Sequence, residues 1–292
     1  MKKYFFTWLL AFVSTMSMAQ DLTVGSYNIR NKNSSDSIHG EIWSLRCKAM
    51  CDMLNWERPA IFGTQEVLHG QLLDMHRQLD GYEFLGVGRD DGKEDGEYAA
   101  IFYRKERLQL KDSGNFWLNE TPDRPVLGWD AACVRICSWG LFNDKVTRKP
   151  LLFLNLHMDH VGTVARREAA KLVVKRIEEM KAKLKKDCLV ILTGDFNVDE
   201  TDEIYTIFTH SGILKDCYEA TRLRFFQNGT FNSFDPSHFT THRIDHIFVS
   251  PSANVDSYAV RTDSYWTQNA DGKTYQRRNP SDHYPVFARL KL

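Results

Sequence analysis

Short polar clusters recur along this chain, and several follow an apolar run that is typical of a buried strand. Leu22–Gly25, Ala60–Phe62 and Leu189–Leu192 are three such runs. Side chains at the ends of neighbouring strands in an α/β sheet meet in one crevice, where ligands bind. The pattern therefore predicts one site that draws on the whole length of the chain. The clusters are Ser26-Tyr27-Asn28-Ile29-Arg30, Thr64-Gln65-Glu66, Gly194-Asp195-Phe196-Asn197, Arg243-Ile244-Asp245-His246 and Ser281-Asp282-His283.

The remaining pattern favours an α/β fold with two packed sheets. Val164–Lys185 carries apolar residues at three- and four-residue steps, which predicts an amphipathic helix. Further helices are predicted over Glu41–Asn55 and from about Gly70 to Leu79. The strands mix adjacent hairpins, around Tyr98–Leu118 and Ala132–Leu156, with helix crossovers. This mixture indicates two mixed sheets facing each other with helices outside, rather than an alternating doubly wound fold.

The first residues have the pattern of an export signal. Lys2 and Lys3 precede the apolar run Tyr4–Val13, and Ser17-Met18-Ala19 supplies small residues for a signal peptidase. We expect residues 1–19 to be a signal peptide, with a buried first helix as the alternative. The apolar run is too short to span a bilayer, so no transmembrane anchor is expected. The protein would be periplasmic in a Gram-negative bacterium and secreted otherwise.

Residues 20–292 are expected to form one catalytic domain with little net charge. Without Lys2 and Lys3, the 38 Lys and Arg fall to 36 against 38 Asp and Glu, a formal net charge of −2. This balance provides no global attraction to nucleic acid or anionic membranes, although a local basic patch is compatible with it. No protein partner is inferred, and we expect a monomer.

The six cysteines are expected to be buried free thiols, with one or more disulfides as the alternative. Cys133 and Cys137 lie four residues apart in a strand-like run, which is too far for a disulfide. Cys47 and Cys51 are one helical turn apart, and neither spacing matches a Cys-x-x-Cys zinc site. A free cysteine behaves as a small apolar residue.

Three of the polar residues suit a divalent cation. Phosphoester hydrolysis needs a cation on the phosphate oxygens, an oriented water and a proton acceptor. Mg²⁺ prefers oxygen ligands and takes one or two carboxylates. Glu66 fits the role of primary ligand, with Asn28 and Asp282 as neighbours. The alternative for Glu66 is an ordinary solvated carboxylate.

The other clusters suit proton transfer. Asp195 and Asn197 point the same way on an extended segment, so one can accept a proton from water while the other binds phosphate. Asp245 can orient His283 as an Asp–His pair. The alternative for Gly-Asp-Phe-Asn is a simple turn, and His246 is expected to be structural.

In this order, the clusters resemble those of the endonuclease/exonuclease/phosphatase (DNase I-like) superfamily, from about Leu22 to Leu292. Gly-Asp-Phe-Asn and Ser-Asp-His are the most specific parts. The resemblance implies a four-layer α/β/β/α sandwich with the site at one end of the two sheets. It also implies a metal-dependent hydrolase that uses Mg²⁺, with Mn²⁺ as a substitute ion.

The resemblance also implies individual roles. Glu66 would bind Mg²⁺ with Asn28 and Asp282, while Asp195 would activate or orient water. His283, paired with Asp245, would stabilise or protonate the phosphoryl group. The contacts to phosphate would come from Asn197 and His157, and whether Asp195 or the His283–Asp245 pair is the general base stays open.

Substrate contacts are expected from Asn28, Arg135, Trp266 and Arg278. Arg binds phosphate with two hydrogen bonds, and an aromatic ring in a long loop such as Ser264–Pro280 can stack on a substrate. The alternatives are a solvated Arg on a strand and a loop packed by its own side chains. We expect a phosphodiesterase rather than a monoesterase. The substrate class stays open between nucleic acid, a phospholipid headgroup and a small phosphate ester.

Two other interpretations compete with this one. Asn155-x-His157-x-Asp159-His160 is one substitution from the metal cluster of the metallo-β-lactamase fold, but Asn155 replaces its first histidine. Activity that depends on zinc would favour that fold. The second is an exported binding module that has lost catalysis. The presence of Glu66 and His283 argues against it.

Overall fold

The computed structural model describes residues 21–184, 187–226 and 228–292. The expected signal peptide, residues 1–19, lies outside the described residues. The helices found within them are α1 (Ser34–Ile38), α2 (Trp43–Glu57), α3 (His69–Gln78), α4 (Thr163–Lys183), α5 (Glu203–Thr209) and α6 (Cys217–Ala220). The strands are β1 (Asp21–Asn28), β2 (Ile61–Val67), β3 (Tyr82–Leu85), β4 (Tyr98–Arg104), β5 (Leu108–Trp117), β6 (Ile136–Asp144), β7 (Pro150–His157), β8 (Leu189–Asp195), β9 (Lys215–Asp216), β10 (Leu223–Phe225), β11 (Asp245–Val249), β12 (Asn254–Val260), β13 (Tyr265–Gln268), β14 (Tyr275–Arg278) and β15 (Val286–Lys291).

Most strands belong to two mixed sheets. One has seven strands in the order β10-β12-β15-β1-β2-β4-β3, and the other has six in the order β5-β6-β7-β8-β11-β9. The prediction of two mixed sheets is confirmed. The hairpin predicted around Ala132–Leu156 is confirmed as β6 and β7, which are antiparallel. The hairpin predicted around Tyr98–Leu118 is wrong, because β4 pairs with β2 and β3 on its two sides and β5 pairs with β6 in the other sheet.

The layers follow from alternation along the central strands. In β7, Leu151 and Phe153 belong to the core between the two sheets. Leu152 and Leu154 belong to a second core that includes Ala169 and other residues of α4. A third core joins α2 and α3 to the outer face of the seven-stranded sheet. Because strands covered on both faces need apolar residues at every position, the central strands are continuously hydrophobic in sequence. The result is the four-layer α/β/β/α sandwich.

The three predicted helices are confirmed with small shifts at their ends. The helix expected over Val164–Lys185 is α4, a segment without proline or internal glycine that is rich in strong helix formers. Lys185 lies outside the described residues. The other two are α2 and α3, which begin and end within two residues of the predicted positions.

Two segments differ from the expected loops and strands. The segment Ser264–Pro280, expected to be an irregular loop, contains the two-stranded sheet of β13 and β14. Strand β12 was not predicted, because its burial alternates irregularly around a bulge between Val255 and Ser257. All six cysteines lie in the described residues and are free thiols, and five are buried as expected, whereas Cys133 is partly exposed.

An amide network between the sheets sets their alignment. Asn155 on β7 donates from Nδ2 to the carbonyl oxygens of Thr64 and Ala100, each at 2.9 Å. Gln65 on β2 donates from Nε2 to Asn155 Oδ1 at 2.7 Å. A Cβ atom at Gly63 would lie 2.1 Å from Asn155 Oδ1, so only glycine permits this close approach. The ends of β2 and β7 are therefore held at one edge of the sandwich.

We expect Asn155→Ala to lower the free energy of unfolding by about 2 to 4 kcal/mol, because it removes one hydrogen bond each from the buried Thr64 and Ala100 carbonyls and from the Gln65 amide. Urea denaturation measures the change. Ser138, opposite Asn155 in the β6–β7 register, has a buried hydroxyl with no partner among the described residues. Ser138→Ala is therefore a control that should shift stability by less than about 1 kcal/mol. Equal effects of the two variants would contradict the prediction.

Candidate active site

Strand direction gathers the polar clusters at one edge. β1 and β2 run parallel, as do β7 and β8, so Asn28 and Asp195 each lie where a strand ends. β11 is antiparallel to β8 and begins at this edge with Asp245 directly opposite Asp195. β15 is antiparallel to β1, and His283 lies just before it. The clusters from both sheets therefore meet.

His283 and Asp245 form a buried pair. His283 Nδ1 lies 2.8 Å from Asp245 Oδ2, and His283 Nε2 lies 3.7 Å from Asp195 Oδ2. Burial opposes a charge on His283, but Asp245 and Asp195 outweigh it and raise the pKa of the imidazole to about 10. The structure thus brings together the Asp–His pair that the sequence predicts, with the imidazole held as a cation.

Asp195 lies at the centre of this group. Its Oδ2 accepts a hydrogen bond from Asn28 Nδ2 at 3.0 Å, and its Oδ1 accepts one from the Asn197 backbone at 3.0 Å. Burial and the nearby Asp245 carboxylate raise the pKa of Asp195 to about 7, although His283 and Asn28 oppose the shift. A carboxyl with this pKa suits proton transfer near neutral pH.

His157 completes the side of the group formed by β7. Its Nε2 lies 3.5 Å from Asp195 Oδ2, and its buried Nδ1 has no partner among the described residues. Burial lowers the pKa of His157 well below its ordinary value, and the positive charges of Arg135 and Arg89 lower it further. The imidazole is therefore neutral and can donate one hydrogen bond.

Glu66 and Asp282 form the carboxylate side of the site. Arg30 Nη1 lies 3.9 Å from Glu66 Oε2 and 3.6 Å from Asp282 Oδ2. Burial raises the pKa of Asp282, as does the neighbouring Glu66, against the effects of His283 and Arg30. Glu66 lies in a bulge of β2 with a φ of 61°, a backbone conformation that costs energy for a residue with a side chain. Such strain is typical of functional positions.

The donor set fits a hard divalent cation. Glu66 and Asp282 offer carboxylate oxygens, which Mg²⁺ prefers over nitrogen or sulfur. Asp195, Asp245 and His283 also place ligand atoms within 4.8 Å of one another. The 2.8 Å contact from His283 Nδ1 to Asp245 is a hydrogen bond, however, and accounts for that group without an ion.

Asn28, expected as a metal ligand and substrate contact, lies beside both carboxylates, and those two roles stay predictions. Its Oδ1 accepts a hydrogen bond from the Arg30 backbone at 3.0 Å, which fixes the orientation of the amide. Its Nδ2 is therefore turned toward Glu66 Oε1 and Asp195 Oδ2, each at 3.0 Å. In this orientation, Asn28 presents a donor to the two carboxylates and positions them.

These groups face a cleft of about 460 Å³. Seven residues that the sequence predicts for the site line it, and Asp245 lies behind His283. Arg135 is held by Asp159 at 3.2 Å and by His160 Nδ1 at 2.9 Å. The described residues that line the cleft are Arg30, Asn31, Glu66, Arg89, Glu97, Cys133, Arg135, His157, His160, Asp195, Asn197, Phe231, Ile244, Asp282 and His283.

Two expected substrate contacts are not among these lining residues. Trp266 is 65% exposed on β13. Arg278 on β14 pairs with the carboxylate of Glu41 and donates to Thr267. Both belong to the hairpin that was expected to be an irregular loop. The Arg278 guanidinium is held by Glu41, and Arg278 is not among the described residues that line the cleft.

Other lining residues were missed in the sequence. Arg30 ends the first cluster and Asn31 comes directly after it, so their position was an available signal. Arg89 and Glu97 belong to the charged segment between β3 and β4, where the sequence does not separate residues that line a site from solvated charges. Phe231 packs its ring 5.2 Å from that of His283 by a contact between distant segments. No sequence pattern indicates these last three.

Comparisons with known proteins agree with this geometry. The family model described as "Endonuclease/Exonuclease/phosphatase family" matches residues 25–283. No curated protein sequence matches the chain. Among solved structures, a mannosyl-6-phosphatase of Bacteroides thetaiotaomicron is 50% identical, with 93% of this chain and 100% of that chain covered and a TM-score of 0.89.

More distant structures share the fold. An endonuclease/exonuclease/phosphatase of Bacteroides vulgatus is 36% identical, with coverage of 93% and 99% and a TM-score of 0.81. A TDP2 of D. rerio, solved with a single-stranded DNA product, is 17% identical, with coverage of 94% and 100% and a TM-score of 0.64. At this low identity, the match to TDP2 shows a common fold only.

We expect Asp195→Asn and His283→Ala each to lower kcat by about 10²- to 10⁴-fold, because each removes a group that serves proton transfer or charge stabilisation. Steady-state rates of phosphate release measure the loss. Circular dichroism and thermal melting show whether the variants fold. Folded variants with rates within tenfold of wild type would contradict the assignment.

Proposed function

The chain belongs to the endonuclease/exonuclease/phosphatase family, and we propose that it is a Mg²⁺-dependent phosphomonoesterase that acts on a phosphorylated sugar. Members of this family are metal-dependent hydrolases of phosphoesters. The observation that carries the proposal is the 50% identity to a mannosyl-6-phosphatase over 93% of this chain. It favours a monoester over the diester expected from the sequence.

The charge of the cleft supports a small substrate. A nucleic acid would need a basic track along its backbone. The described lining residues instead carry four carboxylates against three guanidinium groups and the His283 imidazolium, so the cleft has no excess of positive charge. The carboxylates are Glu66, Glu97, Asp195 and Asp282, and the guanidinium groups are Arg30, Arg89 and Arg135.

The mechanism follows from the positions of the side chains. A cation held by Glu66 and Asp282 would neutralise charge on the phosphate oxygens. Asp195 accepts the proton of the attacking water, because its pKa lies near 7. His283 already carries its proton, so it acts as a donor or cation toward the phosphoryl oxygens rather than as the base. Its orientation is held by Asp245.

Neutral donors bind the rest of the phosphate. His157 lines the cleft beside Asp195 and offers an N–H group without adding charge. Asn197 donates its side-chain amide to Met158 O at 3.0 Å, which holds it at the cleft wall. Arg135 also faces the cleft and suits an anionic oxygen.

Export is part of the same proposal. It is supported by the sequence of residues 1–19, with Lys2 and Lys3 before an apolar run and small residues before Gln20. In residues 21–184, 187–226 and 228–292, no helix is long and apolar enough to cross a membrane. We expect N-terminal sequencing of protein from a Gram-negative host to start at Gln20. A chain that retains Met1 would contradict export.

We expect a substrate panel with Mg²⁺ to show preference for mannose 6-phosphate. Its kcat/KM should exceed that for bis(p-nitrophenyl) phosphate by at least about 10²-fold, since the cleft is small and lacks a basic track. EDTA should abolish activity, and Mg²⁺ or Mn²⁺ should restore it.

Two variants and two contradicting outcomes sharpen this panel. Glu66→Gln should raise the Mg²⁺ concentration needed for half-maximal activity, while Glu178→Gln on the exposed side of α4 should not. A preference for the diester would contradict the proposed substrate class. Binding of mannose 6-phosphate without release of phosphate would indicate the non-catalytic binding module instead.

A further inference from the structure

We propose that Arg89 and Glu97 form a hydroxyl-binding pair that holds the sugar ring beside the phosphate. This inference rests on the proposed function, since it concerns the substrate of the same cleft. Both residues line the cleft, and their side chains are each 15% exposed. The pair belongs to the loop between β3 and β4, and no residue of the catalytic group comes from that loop.

The loop presents the two side chains together. The Arg89 backbone donates to Glu97 O at 3.1 Å, so the two residues lie opposite each other across a narrow loop. Arg89 Nη1 donates to the Glu97 carboxylate. Trp117 Nε1 donates to Arg89 O at 2.7 Å and anchors the loop to β5. A pair that is held in place before binding loses little conformational freedom when a ligand arrives.

The pair has hydrogen-bonding capacity to spare. The Arg89 side chain makes one hydrogen bond to the described residues, from Nη1 to Glu97, so its Nη2 has donors for a ligand oxygen. Arg89 Nε is buried with Asp90 Oδ1 3.8 Å away, so the pair's free donors are those of Nη2. Glu97 has two carboxylate oxygens, which accept several hydrogen bonds. The pair therefore offers a donor and an acceptor side by side.

A single amide connects this pair to the metal-binding side. Asn31 Nδ2 lies 2.9 Å from Glu97 Oε1 and 3.3 Å from Glu66 Oε2. A group bound at Glu97 is therefore a near neighbour of the phosphate. In a sugar 6-phosphate, the ring hydroxyls at carbons 4 and 3 lie on the carbons that follow the ring carbon bearing C6. The spacing suits a ring held next to its own phosphate.

The chemistry of the pair matches two adjacent hydroxyls. Each hydroxyl both donates and accepts, so one can donate to Glu97 while its neighbour accepts from Arg89. Arg135 differs, because its Nε and Nη2 are engaged by Asp159 and His160 and no carboxylate among the described residues pairs with its Nη1. Arg135 therefore suits an anion, and the Arg89–Glu97 pair suits a sugar ring.

The test compares substrates with and without ring hydroxyls. The probes are mannose 6-phosphate, its 3-deoxy and 4-deoxy analogues, and p-nitrophenyl phosphate. Glu97→Gln should lower kcat/KM for mannose 6-phosphate by about 10- to 100-fold, and this loss should exceed its loss on p-nitrophenyl phosphate by at least about tenfold. Removal of the recognised hydroxyl should cost the wild type about 10- to 100-fold and the variant less than about threefold.

Controls distinguish the possible failures. Glu94→Gln, an exposed position of the same loop outside the cleft lining, should leave both substrates unaffected. Arg89→Met provides a second variant, and melting curves confirm that each variant folds. An equal loss on both substrates would mean that Glu97 acts only through Asn31 and Glu66. That result overturns the inference and leaves the proposed function standing. A wild type without preference for mannose 6-phosphate over p-nitrophenyl phosphate would overturn both.

Discussion

The contact between the two sheets beneath the cleft is the constraint on which the site depends. Each sheet contributes part of the polar group, with Glu66 and His283 from one and Asp195 and Asp245 from the other. The Asn155 side chain on β7 donates hydrogen bonds to the backbone of β2 and β4, and it accepts one from the Gln65 side chain on β2. These directional bonds set a register that apolar packing alone would leave adjustable.

Above that contact, the site is a cluster of charges held out of water. Burial raises the pKa of Asp195 and Asp282, while carboxylates raise that of His283. These effects have a common origin, because several acids share a small buried volume with few cations. The imidazolium of His283 offsets part of this negative charge, and a divalent ion would offset more of it. The electrostatics thus match the chemistry of a phosphoester hydrolase.

Much of the fold and the catalytic group could be predicted because both depend on local pattern. Continuous apolar runs identified most of the central strands, and the helix period identified α4. Residues directly at strand ends, such as Asp195 and His283, were found for the same reason. The prediction of a hairpin between β4 and β5 was wrong, because the choice of partner strand depends on which strand edges are already paired. The position of Arg278 outside the cleft lining could not be predicted, because a distant acid, Glu41, holds its guanidinium.

By itself, the sequence determined which residue types lie at the strand ends and therefore the class of chemistry. Strand formation and side-chain alternation are set by near neighbours in the chain, so they can be predicted from the sequence. The tertiary structure alone decided the orientation of the Asn28 amide, the pKa of Asp195 and the position of Arg89 and Glu97 in the lining of the cleft. Those properties depend on burial and on contacts between segments far apart in the chain, which no local pattern encodes.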